Sequence, residues 1–398
     1  MTSSRVHSRT QIAVVGAGPA GLMLSHLLAR AGIDSVAVDL RSRREIEETH
    51  RAGILEQDSV DLLVGTGVSD RVHRDGYRHD GIELAFGGGG HRIDFQGLVG
   101  ASTRLYPQTD VFTDLADARR RDGGDVRFGV SDVSVGDLVS GAPVLRFTDA
   151  DGIGHEVRAD FLVGADGSRS LCRREIPEGA RTQYFREYPF AWFGILVEAP
   201  PSAPELVYNH SPRGFALISQ RTGSLQRMYF QCDPAEDVGD WSDDRIWHEL
   251  QSRVGANGHV LREGPITSRT VLPFRSFVQE PMHHGRLVLA GDAAHTVPPT
   301  GAKGLNLALA DVRVLAEELE RAVARGDTAP LAAYSERALG RVWKAQHFSY
   351  WMTTMLHTLP GATPFDLRRQ EGELAAVTGS TAGSAYLAEA YTGWPGGR

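Results

Sequence analysis

Gly16, Gly18 and Gly21 stand at the spacing of a turn that binds a diphosphate, and Asp39 follows about twenty residues on. In such a turn Gly16 permits the sharp reversal and Gly18 lets backbone approach a phosphate. Gly21 lets helix and strand pack closely, and the terminal acid holds a ribose diol. Asp166 in LVGADGSRS and Asp292 in LVLAGDAAH each close an apolar run with an acid beside a glycine. Carboxyl ends of buried strands are where α/β folds bind ligands. Taken alone, each Asp/Gly pair reads more readily as a turn than as a site.

The elements that must position these residues are legible nearby. Residues 12–15 read as a buried strand, LMLSHLLARAG as a helix ended by Gly32, and SVAVD as a strand ending at Asp39, a βαβ unit. Residues 54–65 read as a helix, 81–86 and 92–95 as strands, and 108–121 as a polar helix. Residues 125–148 read as a small meander before a strand at 160–164. After Pro177 the texture changes: 184–232 is rich in aromatic and β-branched residues, as in an antiparallel sheet. DWSDDRIWHELQSRV reads as a capped helix. Strand-like RLVLAGD returns the pattern to α/β, and the chain beyond Gly304 is mostly helical. The expected fold is α/β: a Rossmann-type domain with an inserted antiparallel-sheet domain and a helical C-terminal region. Its parts are 1–177, 178–278 and 279–398. The polar opening MTSSRVHSRT reads as a disordered lead-in and not as a signal peptide.

The 398 residues allow two joined domains. A formal charge of −8 argues against a general nucleic-acid binder, so anionic ligands must be caught by local arginines. Two isolated cysteines, Cys172 and Cys232, fit a reducing cytoplasm and lack the clustering of a metal site. No apolar run approaches the roughly 18 residues of a membrane span.

The three glycine and acid motifs, in this order, resemble those of flavin-dependent aromatic hydroxylases. HRAGILEQ (50–57), RGFALISQR (213–221), the stretch 276–308 and FSYWMTTMLH (348–357) are similar to the 4-hydroxybenzoate 3-monooxygenases within that family. The resemblance runs from about residue 11 to the C-terminus. It implies FAD as cofactor, NADH or NADPH as reductant, O2 and a small aromatic acid as substrates, and a homodimer. The implied reaction converts 4-hydroxybenzoate to 3,4-dihydroxybenzoate.

By the same resemblance Tyr208, Ser219, Gln220, Arg221 and Tyr229 surround the substrate, with Arg221 on its carboxylate. Tyr208 and Tyr391 carry away the phenolic proton, His79 is the surface end of that relay, and the Pro299 carbonyl touches the substrate hydroxyl. The implied FAD contacts, with the fingerprint glycines, are Ala20, Asp39, Thr49, His50, Arg51, Ala52, Gly53, Ile54, Gln108, Asp166, Asp292, Leu305 and Asn306. Arg51, Arg169 and Arg275 are matched to the reductant. Arg169 stands where the family has a histidine, Ser168 replaces an aromatic, and the segment after Asp39 departs. There, Arg41, Arg43 and Arg44 precede Glu45, Glu47 and Glu48. At helical spacing each arginine gains a carboxylate neighbour, which predicts that NADH is accepted at least as well as NADPH. The residues leave open an amino- or hydroxy-substituted ring used in biosynthesis. They also leave open a reductase or oxidase without oxygen insertion, and a flavin-binding sensor.

Overall fold

A computed structural model describes residues 5–49, 53–139 and 141–394. Its first sheet is built on the strands Val6–Val15, Ser35–Asp39, Gly154–Gly164 and Leu287–Leu289, paired in parallel. The helix Pro19–Arg30 crosses between the first two, burying Leu22, Met23, Leu24 and Leu28. Val15 is level with Gly164, and Gly164 with Leu289. The three strands therefore end together, bringing Gly16, Asp166 and Asp292 to one edge.

Two expectations change here. Residues 6–10, read as a disordered lead-in, extend the first strand and pair with residues 155–159. Most of their side chains are exposed, so hydropathy carried no signal, whereas backbone pairing needs none. The expected meander also divides. Ser131–Gly136 and Val144–Thr148 form a hairpin against Gly154–Gly164, but Asp125–Phe128 pairs in parallel with Ser35–Asp39.

The second sheet has eight strands, and its centre is the long antiparallel trio Ile266–Glu280, Thr182–Glu198 and Leu225–Cys232. Ala216–Thr222 and Leu206–Asn209 follow, and then the sheet takes Gly81–Phe86 and Gly89–Asp94 from the first part of the chain. It thus extends beyond the 178–278 stretch. Of the segment read as helix at 54–65, residues 54–56 are a strand in a small third sheet with Thr103–Leu105 and Tyr77–His79; the helix starts at Gln57. The helix Gln108–Arg121 matches its expected bounds.

One face of the second sheet packs on the helix Asp243–Val254, whose N-cap Ser242 accepts from the Arg245 amide. The other face packs on the C-terminal helices Ala329–Leu356, Pro364–Thr378 and Thr381–Thr392 through Phe190, Trp192, Phe215, Phe348 and Leu387. Among the described residues no helix is long and apolar enough to cross a membrane.

Candidate active site

The glycine turn has the shape its residues predict. Gly16 has φ +104°, and a side chain there would strike the Ala165 carbonyl; one at Gly21 would strike the Gly16 carbonyl. Beside Gly18 there is open space, the cradle that a diphosphate fills at the start of the helix Pro19–Arg30. Buried Asp39 accepts from the Ala17 amide at 3.0 Å and the Arg41 amide at 3.0 Å, which fixes its carboxylate beside the turn.

The other dinucleotide candidates divide. No described residue hydrogen bonds to the Asp292 carboxylate at the strand edge, so it remains available to a ligand. Asp166 is occupied: its oxygens accept from Ser170 Oγ at 2.6 Å and the Cys172 amide at 3.1 Å, bracing the turn. Asn306 is also saturated, with Oδ1 accepting from the Glu56 amide and Ser59 and Nδ2 donating to the Ile54 and Ala302 carbonyls. Its backbone amide and that of half-buried Leu305 lie in the first turn of the helix Gly304–Arg325, where amides lack intrahelical acceptors. These donors suit an anionic ring edge. Gly53 is required by close passage against the Tyr106 carbonyl, next to half-buried Gln108. Ile54 and Ala20 are half-buried; Thr49 is exposed and donates to the Glu45 carbonyl. His50, Arg51 and Ala52 lie outside the described residues. Arg169 and Arg275 are both exposed.

The short helix Arg43–Glu47 pairs its arginines as its spacing predicts, Arg43 with Glu47 at 2.7 Å and Arg44 with Glu48 at 2.6 Å. Arg41 instead lies before the helix and pairs with Asp39, while Glu45 closes a capping box with Ser42.

Across the second sheet Tyr208 is level with Leu217, and Leu217 with Tyr229, so the three side chains share one face. Ser219 continues that face by alternation, and Arg221 follows at a bulge where the pairing shifts register between Gln220 and Thr222, close enough to Tyr229 to feel its charge. Ser219, Arg221 and Tyr229 are all buried. Burial pushes the Arg221 guanidinium below its ordinary range, against the pull of Tyr229 and Asp110. A carboxylate with two oxygens matches that planar fork.

At the apolar end of the face the Tyr208 and Tyr391 hydroxyls meet at 2.6 Å, each residue 1% exposed. Burial raises the pKa of both, and the Tyr208 hydroxyl raises that of Tyr391 further. Both therefore stay protonated at neutral pH and can pass a proton along without becoming bases. Half-buried Pro299 opens the turn Pro299–Gly301, and its carbonyl accepts from the Ala302 amide, leaving its second lone pair for a ligand.

Two candidates behave differently from expectation. His79 is not at the surface: it is 1% exposed, at the end of Tyr77–His79 and beside the Pro204–Glu205 segment that holds the Asp80 amide at 3.2 Å. Gln220 spends its amide on His79 Nε2 and the Pro204 carbonyl. It braces the histidine.

Sequence reasoning missed a buried charge cluster behind Tyr391. Lys303 Nζ donates to Glu56 Oε1 at 2.6 Å and to the Tyr391 carbonyl at 2.9 Å, and Arg341 donates to Glu56 Oε2 at 3.0 Å. The cluster ties the last helix to the loop that enters Gly304–Arg325. Its signal was a lysine between glycines in TGAKGLN and a glutamate after an apolar strand, both charges in apolar surroundings. Among the described residues no group of three or more His, Cys, Asp or Glu side chains is placed to hold a metal ion.

Comparison with known proteins places the chain in a family. Residues 9–349 match the FAD binding domain family. The chain is 42% identical over 389 residues to p-hydroxybenzoate hydroxylase from Acinetobacter baylyi, covering 97% of this chain and 96% of that one. It is 29% identical to 6-methylpretetramide 4-monooxygenase from Streptomyces rimosus, over 79% of this chain and 77% of that one. The structure of p-nitrophenol 4-monooxygenase from Pseudomonas putida shares the fold at 20% identity, with a TM-score of 0.78 over 98% of this chain and 100% of that one. The open Gly18 cradle and the unpartnered Asp292 carboxylate fit the cofactor this family binds. The chain belongs to the FAD binding domain family and is a flavin-dependent aromatic hydroxylase.

Proposed function

We propose that the enzyme hydroxylates 4-hydroxybenzoate at the ring carbon beside the phenol. NAD(P)H, a proton and O2 are consumed, and 3,4-dihydroxybenzoate, NAD(P)+ and water are formed. The observation that carries the reading is the Tyr208–Tyr391 pair at 2.6 Å on the sheet that also bears buried Arg221. When bound, FAD accepts the reducing equivalents and supplies the activated oxygen.

The chain's own residues do the rest. Arg221 takes both oxygens of the carboxylate and sets the ring's angle, helped by Ser219 and Tyr229. Tyr208 meets the phenol at the other end. As the phenolic proton passes to Tyr208, the Tyr208 proton passes to Tyr391 and the Tyr391 proton passes on toward His79, so neither tyrosine carries a net charge afterward. The substrate is left as a phenolate, whose ring carbon is far more nucleophilic. The Pro299 carbonyl orients the hydroxyl during that transfer. The aromatic wall of Phe190, Trp192, Phe215 and Phe348 keeps water from the ring, which prevents loss of activated oxygen as peroxide. Asp39, Gly18, Asp292 and the amides at 305 and 306 hold the cofactor, and Arg51, Arg169 and Arg275 meet the reductant.

The proposal extends to a cytoplasmic homodimer. Both cysteines are free thiols, and burial pushes that of Cys172 well up. Oxygen uptake with 4-hydroxybenzoate, with the product identified by mass spectrometry, tests the reaction. Stoichiometric hydroxylated product is expected. Oxygen recovered wholly as hydrogen peroxide, or a higher kcat/KM for an amino-substituted acid, overturns it.

A further inference from the structure

The Gln220 amide nitrogen stands between two acceptors, 2.8 Å from His79 Nε2 and 2.9 Å from the Pro204 carbonyl oxygen. A carbonyl only accepts, so the NH2 end of the amide must face Pro204, and this settles which end faces the imidazole. One hydrogen goes to Pro204 and the other to His79 Nε2, which must then be unprotonated. In a neutral imidazole the proton is therefore on Nδ1. That Nδ1 is buried and has no hydrogen-bond partner among the described residues.

The surroundings favour the neutral form. Burial lowers the His79 pKa, with Glu205 and Asp80 pulling the other way. Both carboxylates are countered: Asp80 by Arg78 at 2.7 Å, and Glu205 by Arg92 at 2.7 and 3.0 Å. Glu205 also accepts from the Asp80 amide. The chain is thus pinned on both sides of the brace, next to a surface pocket lined by Arg78, Glu83, Arg92, Pro204 and Glu205.

We propose that Gln220 is a positioning residue that locks His79 as the neutral Nδ1–H tautomer, so that His79 takes a proton from the tyrosine relay only when the Gln220 amide turns over. The inference rests on the reading of His79 as the outer end of that relay. With Nδ1 already protonated, His79 offers the relay a donor and cannot accept there. Turning the amide presents Oε1 to the imidazole and stabilises the Nε2–H tautomer, reached as water gives a proton to Nε2 and takes the one on Nδ1, which bares Nδ1. The relay proton then binds Nδ1, and the Nε2 proton leaves to solvent water. The turned amide sets its oxygen against the Pro204 carbonyl, so it relaxes back once the proton has gone.

The test uses the FAD-loaded enzyme with 4-hydroxybenzoate bound. Nitrogen NMR, with the His79 signals assigned by their loss in His79→Asn, should show the Nδ1–H tautomer in the native protein. Gln220→Glu places an acceptor at Nε2 without changing size, and should move the His79 titration to higher pH. The pH-jump rate of phenol ionisation, read by absorbance, should change by about tenfold or more in Gln220→Glu, while His79→Asn slows it; a positioned proton-transfer group contributes about 100- to 10,000-fold. Gln220→Met, which cannot bond either acceptor, should leave the tautomer unfixed and guards against a misfolded Glu variant. A native Nε2–H tautomer overturns the inference. So does an unmoved titration and rate in both Gln220 variants while His79→Asn still slows ionisation, in which case the relay reading stands. If His79→Asn leaves ionisation unchanged, the relay reading fails and the inference falls with it.

Discussion

His357 and His79 are equally removed from water, at 0% and 1% exposure, yet their hydrogen bonding differs at one atom. His357 accepts from Trp192 Nε1 at 2.7 Å through Nε2, and its Nδ1 donates to the Thr353 carbonyl at 2.9 Å. It stacks on Phe190 at 4.7 Å, and burial pushes its pKa down to about 3. Every polar atom is spent, and the residue is a neutral piece of core. His79 is bound at Nε2 in the same way, but its Nδ1 is buried without a partner. Leaving a buried donor unmet costs about 1–3 kcal/mol. Such a cost is tolerated where a ligand, water or moving proton supplies the missing partner. Burial alone does not separate these two histidines; hydrogen bonding at the one atom does. Asp292 against Asp166 repeats the lesson.

Substituting a histidine that serves only the core should lower stability and leave chemistry alone, and substitutions along the proton relay and at the carboxylate site should do the reverse. The largest effect is expected in Tyr208→Phe. Removing the hydroxyl should cost only about 1 kcal/mol of stability, but hydroxylation should fall by about 100-fold or more. Oxygen consumption should shift to peroxide. Tyr391→Phe should act in the same direction more mildly, and the double variant should be less than additive because the two act in series. Full coupling to hydroxylated product in Tyr208→Phe breaks the comparison.

His357→Phe should unpair Trp192 and cost about 1–3 kcal/mol at neutral pH, read as a lower Tm. The pH dependence sharpens the point. The folded pKa near 3 lies below the ordinary 6.5, so the unfolded chain takes a proton that the native state refuses. The contribution of His357 is whole above about pH 6.5 and is lost toward pH 3 at about 1.4 kcal/mol per pH unit. The variant lacks this loss, so the gap between the two proteins should narrow as pH falls and close near about pH 5. A constant gap across that range means His357 is not held neutral.

Arg221→Lys should weaken binding of 4-hydroxybenzoate by about tenfold or somewhat more, on the order of 1.4 kcal/mol, while FAD affinity stays near native. An unchanged substrate dissociation constant removes Arg221 from the site. The smallest effect concerns Arg43 and Arg44, exposed or half-buried but already paired with Glu47 and Glu48. Their charges are already met by carboxylates, so NADH should match or exceed NADPH in kcat/KM. A preference for NADPH of about tenfold, or 1.4 kcal/mol, contradicts this.

What the sequence revealed followed from locality. The glycine turn, Asp39 and the helix Gln108–Arg121 each depend on residues within a few turns of one another, and their periodicity and spacing were sufficient. The pairing of Arg43 and Arg44 was likewise local. The Tyr208, Arg221 and Tyr391 roles came from resemblance alone, because nothing near a tyrosine in a C-terminal helix announces a partner 183 positions away. His79 was misplaced at the surface for the same reason: what covers it is the distant Pro204–Glu205 segment. The Lys303–Glu56 pair spans 247 positions and left only the trace of charges in apolar settings.

The parallel pairing of Leu206–Asn209 with Gly81–Phe86 bears on how substrate preference can be exchanged between such enzymes. A recombination that moved residues 178–278 alone would carry Tyr208, Arg221 and Tyr229 but strand their sheet without its neighbours at 81–94. The recipient would keep its own residue at position 79 against a foreign Gln220. Ring recognition and proton exit would then come from different parents. The inheritable unit of specificity is therefore two segments of chain, and grafts that respect the strand pairing at Leu206↔Ile82 through Asn209↔Ala85 should fold where single-segment grafts do not.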